Sequence, residues 1–378
     1  MIESIFILVL SVFLMRKCSS SFDIAANYLT RGIGEGIKGP TINAIASSLP
    51  ELLISSMFLF YHKDVLGFSA GYATIIGSSA FNIALIPVIA FAYLYFKKDS
   101  FTNENFQINK LVVKQDALFL LGSIIILSSA FYIGISVYLG CLLISFYVLY
   151  IYFVIKVRLG DEKLEKTAFM FKFIKENNLK LHQNIIYAEQ GSLLKSLYNL
   201  KLFRIFFSGK VNTLTSYLVI FLSVIIIGSS CYFLVLATEH ISNNLGLNLF
   251  FGAFIIAAIA SSIPDTIFSV QDAAKGKFVD SFSNAYGSNI FDICIGIGLP
   301  VLIYTSIYGE ISINFPIERM GWVGDYILSG NLFLWSLLVL FIFTLSISFV
   351  YYKVGLNFKS AFTTFFLYII FIVLLVIF

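Results

Sequence analysis

Long hydrophobic runs separated by short polar connectors dominate this chain. A helix needs about 20 mostly apolar residues to cross the hydrocarbon core of a bilayer. Ten runs come close to or exceed that length, and they predict membrane-spanning helices at 2–29, 39–61, 66–96, 115–132, 134–157, 214–241, 248–271, 279–305, 330–352 and 360–378. The pattern therefore predicts an all-α polytopic membrane protein with ten transmembrane helices.

Composition agrees with this prediction and excludes a soluble globular domain. Hydrophobic residues make up 59% of the 378 residues and charged residues only 12%, and the mean hydropathy is +0.91. Such values lie well outside the usual range for soluble proteins. The four cysteines fall inside predicted helices, where they are small apolar fillers, and no disulfide framework or zinc-ligand spacing is present.

The positions of the basic residues predict the orientation, because lysine and arginine accumulate in cytoplasmic loops. If the N-terminus lies outside, the outer connectors keep only Lys63 and Arg319, and the other basic loop residues are cytoplasmic. Both termini are then outside, and the plasma membrane is the expected location. Arg16 and Lys17 fall near the middle of the first helix. Snorkelling, a helix break or a position at the rim of the bundle would accommodate them.

The chain divides into two halves of five helices. Residues 1–157 form the first half, 158–212 a cytoplasmic linker and 213–378 the second half. Because five is odd, the second half must enter the membrane from the opposite side, which predicts inverted repeats. The linker is too short for a sizeable independent domain, and topology accounts for its lysines, so a nucleic-acid partner is not expected.

Two motifs occur once in each half, in the same order. The first half contains AIASSLPE at 44–51 and GSSAFNI at 77–83, within a region spanning 39–90. The second half contains AIASSIPD at 258–265 and GSNIFDI at 287–293, within 248–303. Each half thus places an acid beside a proline inside an apolar helix. Duplicated, proline-interrupted segments of this kind are typical of substrate sites in transporters.

These residue types favour a site for hard cations. A proline inside a helix removes an amide donor, which should leave carbonyl oxygens around Ala44 and Ala258 without partners. Spacings of three and four residues put the hydroxyls of Ser47 and Ser48 on the same helix face as Glu51. Oxygen ligands suit Ca²⁺ or Na⁺. The candidate ligands are the acids Glu51, Asp265 and Asp292, the amide of Asn82, the hydroxyls of Ser47, Ser48, Ser261, Ser262, Ser78 and Ser288, and the carbonyls of Ala44 and Ala258.

Charge supports the same hypothesis. One ionised acid at the centre of a bilayer costs about 2.5–3.5 kcal/mol on insertion scales, and no lysine or arginine occupies these helix centres. Glu51, Asp265 and Asp292 would therefore be neutralised by bound cations or by protons. A single Gly-Ser run is more often a packing surface than a ligand set, but the ordered duplication of both motifs favours an ion site.

The paired motifs resemble the two alpha-repeats of the calcium/cation antiporter superfamily, which includes sodium/calcium exchangers. With Glu51, Asp265 and Asp292 in their present positions, they look most like the potassium-dependent branch. The resemblance implies that Glu51 and Asp265 face each other across a central Ca²⁺ site shared with Na⁺. It also implies that Asn82 and Asp292 flank this centre, with Asp292 linked to K⁺. Further ligands implied are the hydroxyls of Ser47, Ser48, Ser261 and Ser262 and the carbonyls of Ala44 and Ala258.

In this superfamily the first helices of both halves slide against a rigid bundle, which exposes the site to one side at a time. The chain departs from the usual pattern at Ala46 and Ala260, where family members generally have glycine. Potassium-independent members can also carry an aspartate at the position of Asp292, so K⁺ coupling stays open.

The sequence thus predicts a secondary transporter and no enzyme: a Na⁺-driven Ca²⁺ antiporter, with or without K⁺ carried alongside Ca²⁺. No cofactor is expected, and the protein should act as a monomer in the lipid bilayer. A Ca²⁺/H⁺ antiporter is the alternative, since the same carboxylates could take protons. An intramembrane aspartyl protease is not favoured, because its Gly-x-Gly-Asp motif is absent.

Overall fold

The computed structural model describes residues 1–30, 39–97, 109–159, 186–187, 192–311 and 330–377. In the first part of the chain the helices are α1 Ile2–Leu29, α2 Ala44–Ser47, α3 Leu49–His62, α4 Val65–Lys97, α5 Lys110–Ser128, α6 Ala130–Ile133 and α7 Val137–Leu159. The later helices are α8 Leu193–Tyr198, α9 Leu202–Phe207, α10 Thr213–Leu245, α11 Leu249–Gly252, α12 Ala258–Ser261, α13 Ile263–Ala274, α14 Phe278–Phe291, α15 Gly298–Tyr308, α16 Gly330–Val354 and α17 Phe358–Ile377.

Three stretches wind as π-helix between these elements, at Gly39–Asn43, Ala253–Ala257 and Asp292–Ile297. The strands β1 Ile186–Tyr187 and β2 Lys210–Val211 pair antiparallel, with Ile186 opposite Val211. Both strands belong to the predicted linker. Outside the described residues lie most of that linker and the loop residues Arg31, Lys38, Lys98 and Arg319.

Nine helical stretches of the described chain are long and apolar enough to cross a membrane. They match nine of the ten predicted spans, and one of them, α5, begins earlier than predicted because the Asn109 side chain caps it by accepting from the Leu111 amide at 3.0 Å. The remaining prediction, 39–61, is divided into the π-helix Gly39–Asn43, α2 and α3. Its longest unbroken helix, α3, has only 14 residues.

The central helices of the bundle are those that carry the duplicated motifs. In the most apolar 18-residue segment of α4, 72% of the residues are buried. The corresponding share is 67% for the stretch from Phe278 to Tyr308 and 22% for α17. The α4 helix packs against α13, α14 and the π-helix Ala253–Ala257 of the other half of the chain. The two halves therefore meet along their motif helices, and α1 packs along α10 at one side.

The end of the linker lies against α1 and provides the contacts that accommodate Lys17 in the middle of this helix. Lys17 Nζ donates a 2.6 Å hydrogen bond to Asn199 Oδ1 and stacks over the rings of Phe13 and Tyr198. One turn further along α1, Ser21 Oγ donates a hydrogen bond to the Leu200 carbonyl. The same oxygen accepts a hydrogen bond from the Leu202 backbone amide. The Lys17 charge is thus satisfied inside the protein by an amide oxygen and two aromatic faces.

Lys17→Met should loosen the linker from α1, because a hydrogen bond from a charged donor contributes about 1.5–3 kcal/mol. The expected results are an apparent unfolding temperature lower by several degrees and faster tryptic cleavage at Lys195 and Lys201, measured on purified protein in detergent. Arg16→Met is the matched control, since Arg16 is exposed, and it should change neither. Equal behaviour of the two variants would contradict the assigned contact.

Candidate cation site

The duplicated helix is interrupted at the same place in both halves. Helix α2 ends at Ser47 and α12 ends at Ser261, and the next residues, Ser48 and Ser262, leave ideal helical geometry with ψ of 7° and −4°. New helices then begin, with Pro50 and Pro264 in their first turns. A proline is tolerated there because amides in the first turn have no partner within the helix.

This geometry corrects the expectation about the carbonyls. The Ala44 oxygen accepts from the Ser48 amide at 2.9 Å, and the Ala258 oxygen accepts from the Ser262 amide at 3.1 Å. Neither oxygen is left without a partner, because each short helix closes its last turn before the break. A carbonyl keeps a second lone pair, so the correction concerns only the missing partners, and Ala44 and Ala258 stay predicted ligands.

Three carboxylates meet at the breaks. Glu51 lies in the first turn of α3, Asp265 in the first turn of α13 and Asp292 at the start of a π-helix, and all three are fully buried. Their oxygens come within 4.8 Å of one another. Oxygens that share one Ca²⁺ at about 2.3–2.6 Å are separated by at most about 5 Å. The three acids are therefore close enough to hold a single ion together.

Hydroxyl groups surround the two motif acids in a reciprocal way. Ser78 Oγ donates to Glu51 Oε1 at 3.3 Å, and its counterpart Ser288 donates to Asp265 Oδ1 at 2.8 Å. Across the halves, Ser261 lies beside Glu51, and its counterpart Ser47 lies beside Asp265. Each acid thus receives one serine from its own half and one from the other.

The remaining predicted side chains complete the same cluster. Ser262 Oγ lies 3.0 Å from Ser78 Oγ, and Asn82 Nδ2 donates to Asp265 Oδ2 at 3.0 Å. Ser48 lies beside Asp292 without forming a hydrogen bond of normal geometry. The structure therefore brings together every acid, amide and hydroxyl that the sequence singled out.

Several oxygens of the cluster accept no hydrogen bond from the described residues. They are Glu51 Oε2, Asn82 Oδ1 and both oxygens of Asp292. No lysine or arginine in the described part of the chain forms an ion pair with any of the three acids. Buried polar atoms are normally satisfied, and isolated charges are costly inside a membrane. Such an arrangement of oxygen atoms is suited to binding a cation.

Two glycines allow the helices to approach this closely. A Cβ atom on Gly77 would lie 2.2 Å from the Phe254 carbonyl oxygen, and one on Gly287 would lie 2.6 Å from Pro40 Cα. Pro40 and Phe254 occupy equivalent places, four residues before the AIASS segments at 44 and 258. The same backbone contact therefore occurs twice, once between α4 and the second half and once between α14 and the first.

A family model described as "Sodium/calcium exchanger protein" matches residues 3–156 and 215–377. These ranges include nearly all of the membrane part and both motif regions. The chain belongs to the sodium/calcium exchanger family. The family is one of transporters, and the match leaves out residues 157–214, which contain the linker, together with the first two residues and the last residue.

The curated relatives that this exchanger-family chain matches are longer proteins. It is 39% identical to human sodium/potassium/calcium exchanger 2 over 77 residues, which are 20% of this chain and 12% of that protein. It is 33% identical to rat sodium/potassium/calcium exchanger 1 over 152 residues, 40% of this chain and 12% of that protein. The chain thus aligns with about an eighth of each relative's length.

Solved structures show the same fold. The H⁺/Ca²⁺ exchanger CAX matches with a TM-score of 0.60 at 16% identity, over 99% of this chain and 84% of that one. The sodium–calcium exchanger NCX_Mj, soaked with Na⁺ and Ca²⁺, matches with a TM-score of 0.54 at 17% identity, over 99% and 98% of the two chains. At such low identity the likeness concerns the fold alone.

The structure adds polar residues that sequence reasoning did not select. Asn289 and Asn284 lie in the same network as Asp265, and the signal for Asn289 was its place inside the GSNIFDI motif at 287–293. Asp272 is only 7% exposed and accepts a 2.6 Å hydrogen bond from Asn43. Asp116, fully buried in α5, accepts from Tyr150 and from the serine at 283.

Two further acids, Asp23 and Glu239, lie in the paired helices α1 and α10. Asp23 accepts a hydrogen bond from Asn27 one turn away. Glu239 Oε2 lies 3.9 Å from His62 Nε2. Neither acid is part of the three-carboxylate cluster.

Gly77→Ala should push α4 away from the second half, because the new methyl group would meet backbone atoms that cannot rotate aside. Overpacking of this kind costs about 1–3 kcal/mol, so the unfolding temperature in detergent should fall. Gly228→Ala in α10 is the matched control, since its nearest neighbour would be a leucine methyl at 3.9 Å. That variant should be neutral or slightly stabilising, by up to about 1 kcal/mol; a stable Gly77→Ala protein would contradict the close contact.

Proposed function

We propose that this protein is a secondary antiporter that exchanges Ca²⁺ for Na⁺ by alternating access. The cluster of Glu51, Asp265 and Asp292 is the cation site, with Asn82, the six neighbouring serines and the carbonyls of Ala44 and Ala258 as further ligands. The observation that carries the proposal is three fully buried carboxylates within 4.8 Å of one another, without a lysine or arginine partner among the described residues.

The chemistry of the donors supports Ca²⁺ and Na⁺ as substrates. Carboxylate, hydroxyl and amide oxygens are hard ligands, which suit these cations far better than zinc or copper. Two different cation loads can each neutralise the same acids, and their competition for one site couples their movements. Membership of the sodium/calcium exchanger family supports the same pair of ions.

K⁺ as a companion of Ca²⁺ is the finer part of the proposal. Three carboxylates exceed the charge of one Ca²⁺, and a monovalent ion would balance the remainder. Asp292 is suited to that role, because neither of its oxygens accepts a hydrogen bond from the described residues. The human and rat relatives bear the name sodium/potassium/calcium exchanger, which supports this assignment for the matched segments.

The alternative is Ca²⁺/H⁺ antiport at the same carboxylates. Buried acids without a basic partner can be neutralised by protons as well as by metal ions. Na⁺ coupling is favoured because one copy of the motif carries Glu51 and the other Asp265, whereas proton-coupled relatives of this superfamily generally carry Glu in both.

The reciprocal contacts of the two halves support the rest of the proposed organisation. We assign ten transmembrane helices as two inverted repeats, 1–157 and 213–378, with a cytoplasmic linker at 158–212 and both termini outside. The paired serine contacts at Glu51 and Asp265 and the paired glycine contacts are those that an internal two-fold relation would produce. The protein acts as a monomer in the plasma membrane.

Reconstituted vesicles test the function and the site together. With Na⁺ inside and ⁴⁵Ca²⁺ outside, uptake should follow the outward Na⁺ gradient at fixed pH. Uptake that ignores Na⁺ and follows a proton gradient would select the alternative. Asp265→Asn should lower uptake at least about tenfold, the cost of roughly 1.4 kcal/mol in ion binding. Glu239→Gln, an acid outside the cluster, should transport normally, and intact transport by Asp265→Asn would overturn the site.

Asp292→Asn should separate K⁺ from Ca²⁺, because it removes one negative charge and leaves Glu51 and Asp265 in place. The expected result is Na⁺-driven ⁴⁵Ca²⁺ uptake that no longer increases when K⁺ is added outside, whereas wild-type uptake does. The measurement is initial uptake at several K⁺ concentrations with the membrane potential clamped. A K⁺ response equal in variant and wild type would remove K⁺ from this position.

A further inference from the structure

Asn289 is a buried polar residue that no ligand assignment above uses. It lies in α14, immediately after Ser288, and it is fully buried. Its Nδ2 donates a 2.7 Å hydrogen bond to the Ser79 carbonyl in α4. Its Oδ1 accepts a 3.0 Å hydrogen bond from Asn82 Nδ2. Asn289 therefore joins the backbone of α4 to a side chain of the proposed cation site.

The donors and acceptors along this path permit one orientation of each amide. A backbone carbonyl only accepts hydrogen bonds, so Asn289 must turn Nδ2 toward Ser79 and Oδ1 toward Asn82. Asn82 must then present Nδ2 to Asn289. The Asp265 carboxylate, 3.0 Å away, demands the same of Asn82. Both hydrogens of the Asn82 amide are used, and its orientation is determined from two sides.

This orientation decides which atom of Asn82 a cation can meet. With Nδ2 engaged, Oδ1 is the atom without a hydrogen-bond partner among the described residues. A reversed amide would offer N–H groups to a cation instead of an oxygen and would repel it. We propose that Asn289 is a positioning residue that holds the Asn82 amide so that its oxygen is available to the transported cation. The proposal rests on the proposed function, because it assumes a cation at this site.

The differences between the two motifs support this role. Asp292 is the counterpart of Asn82, and Ser79 is the counterpart of Asn289. A carboxylate has two equivalent oxygens, so Asp292 presents an oxygen whichever way it turns. Of these two residues only Asn82 has an amide that can be reversed, and in the described part of the chain only Asn82 forms a hydrogen bond with a second asparagine. The second half thus has Asn289 where the first half has Ser79 because the residue that must be oriented, Asn82, lies in the first half.

Asn289→Ala tests the proposal through the concentration dependence of Na⁺-driven ⁴⁵Ca²⁺ uptake. Loss of the fixed amide should raise the half-saturating Ca²⁺ concentration about tenfold, while the maximal rate at saturating Ca²⁺ changes less than twofold. Ser348→Ala is the matched control, because it removes another buried hydrogen bond to α14, with the Tyr286 hydroxyl at 3.0 Å. An equal shift in both variants, or a shift below twofold in Asn289→Ala, would overturn the proposal.

A double-mutant cycle shows whether Asn289 acts through Asn82. In an Asn82→Ala background, Asn289→Ala should change the half-saturating concentration less than twofold; fully multiplicative effects would refute the role. If Asn289→Ala fails to reach the membrane, Asn289→Ser provides the same comparison.

Ca²⁺-dependent stabilisation of the purified proteins against heat separates the two proposals. Wild-type protein that binds Ca²⁺ without Na⁺-driven uptake would refute only the exchange function, and the Asn289 shift is then read from binding.

Discussion

Like charges gathered inside the membrane-spanning core are the constraint on which this structure depends. Three carboxylates within 4.8 Å repel one another and lose their hydration, so the surrounding chain must compensate. It does so with serine hydroxyls and an asparagine amide on Glu51 and Asp265. The interrupted helices place these acids in first turns, where unpaired backbone amides favour negative charge.

Close backbone approach is the second requirement, because short side chains reach the acids only when the helices nearly touch. Gly77 and Gly287 provide it by leaving no room for a methyl group against the other half. The π-helices at Gly39–Asn43 and Ala253–Ala257 take part in the same contacts, since α14 packs against the first and α4 against the second. The packing of the two halves and the geometry of the candidate cation site therefore depend on the same glycine contacts.

The linker is tied into the bundle at its end. Asn212 caps α10, and the segment before it contacts α1 through Lys17 and Ser21. The linker is thus connected to both helices of the α1–α10 pair. It forms hydrogen bonds with α1, and it continues directly into α10. A basic residue in the middle of an apolar helix, which looks unfavourable in isolation, is accommodated by a partner 182 residues away in sequence.

Hydrophobic run lengths alone determined the membrane-helical class, and the positions of nine spanning stretches, because crossing a bilayer needs a minimum apolar length. The duplicated motifs likewise determined which acids and serines gather, since they combined costly residues in a repeated order. Spacing along the chain could not show that the Ala44 and Ala258 carbonyls keep their hydrogen bonds, which depends on where each helix is interrupted.

Contacts between residues distant in sequence were decided only by the tertiary structure. Local patterns do not encode the pairing of Lys17 with Asn199, the burial of Asp272 against Asn43 or the orientation of the Asn82 amide by Asn289. Each depends on two elements packed together in one particular register. The sequence therefore determined which side chains take part in the candidate site, whereas packing decided which atom each of them presents.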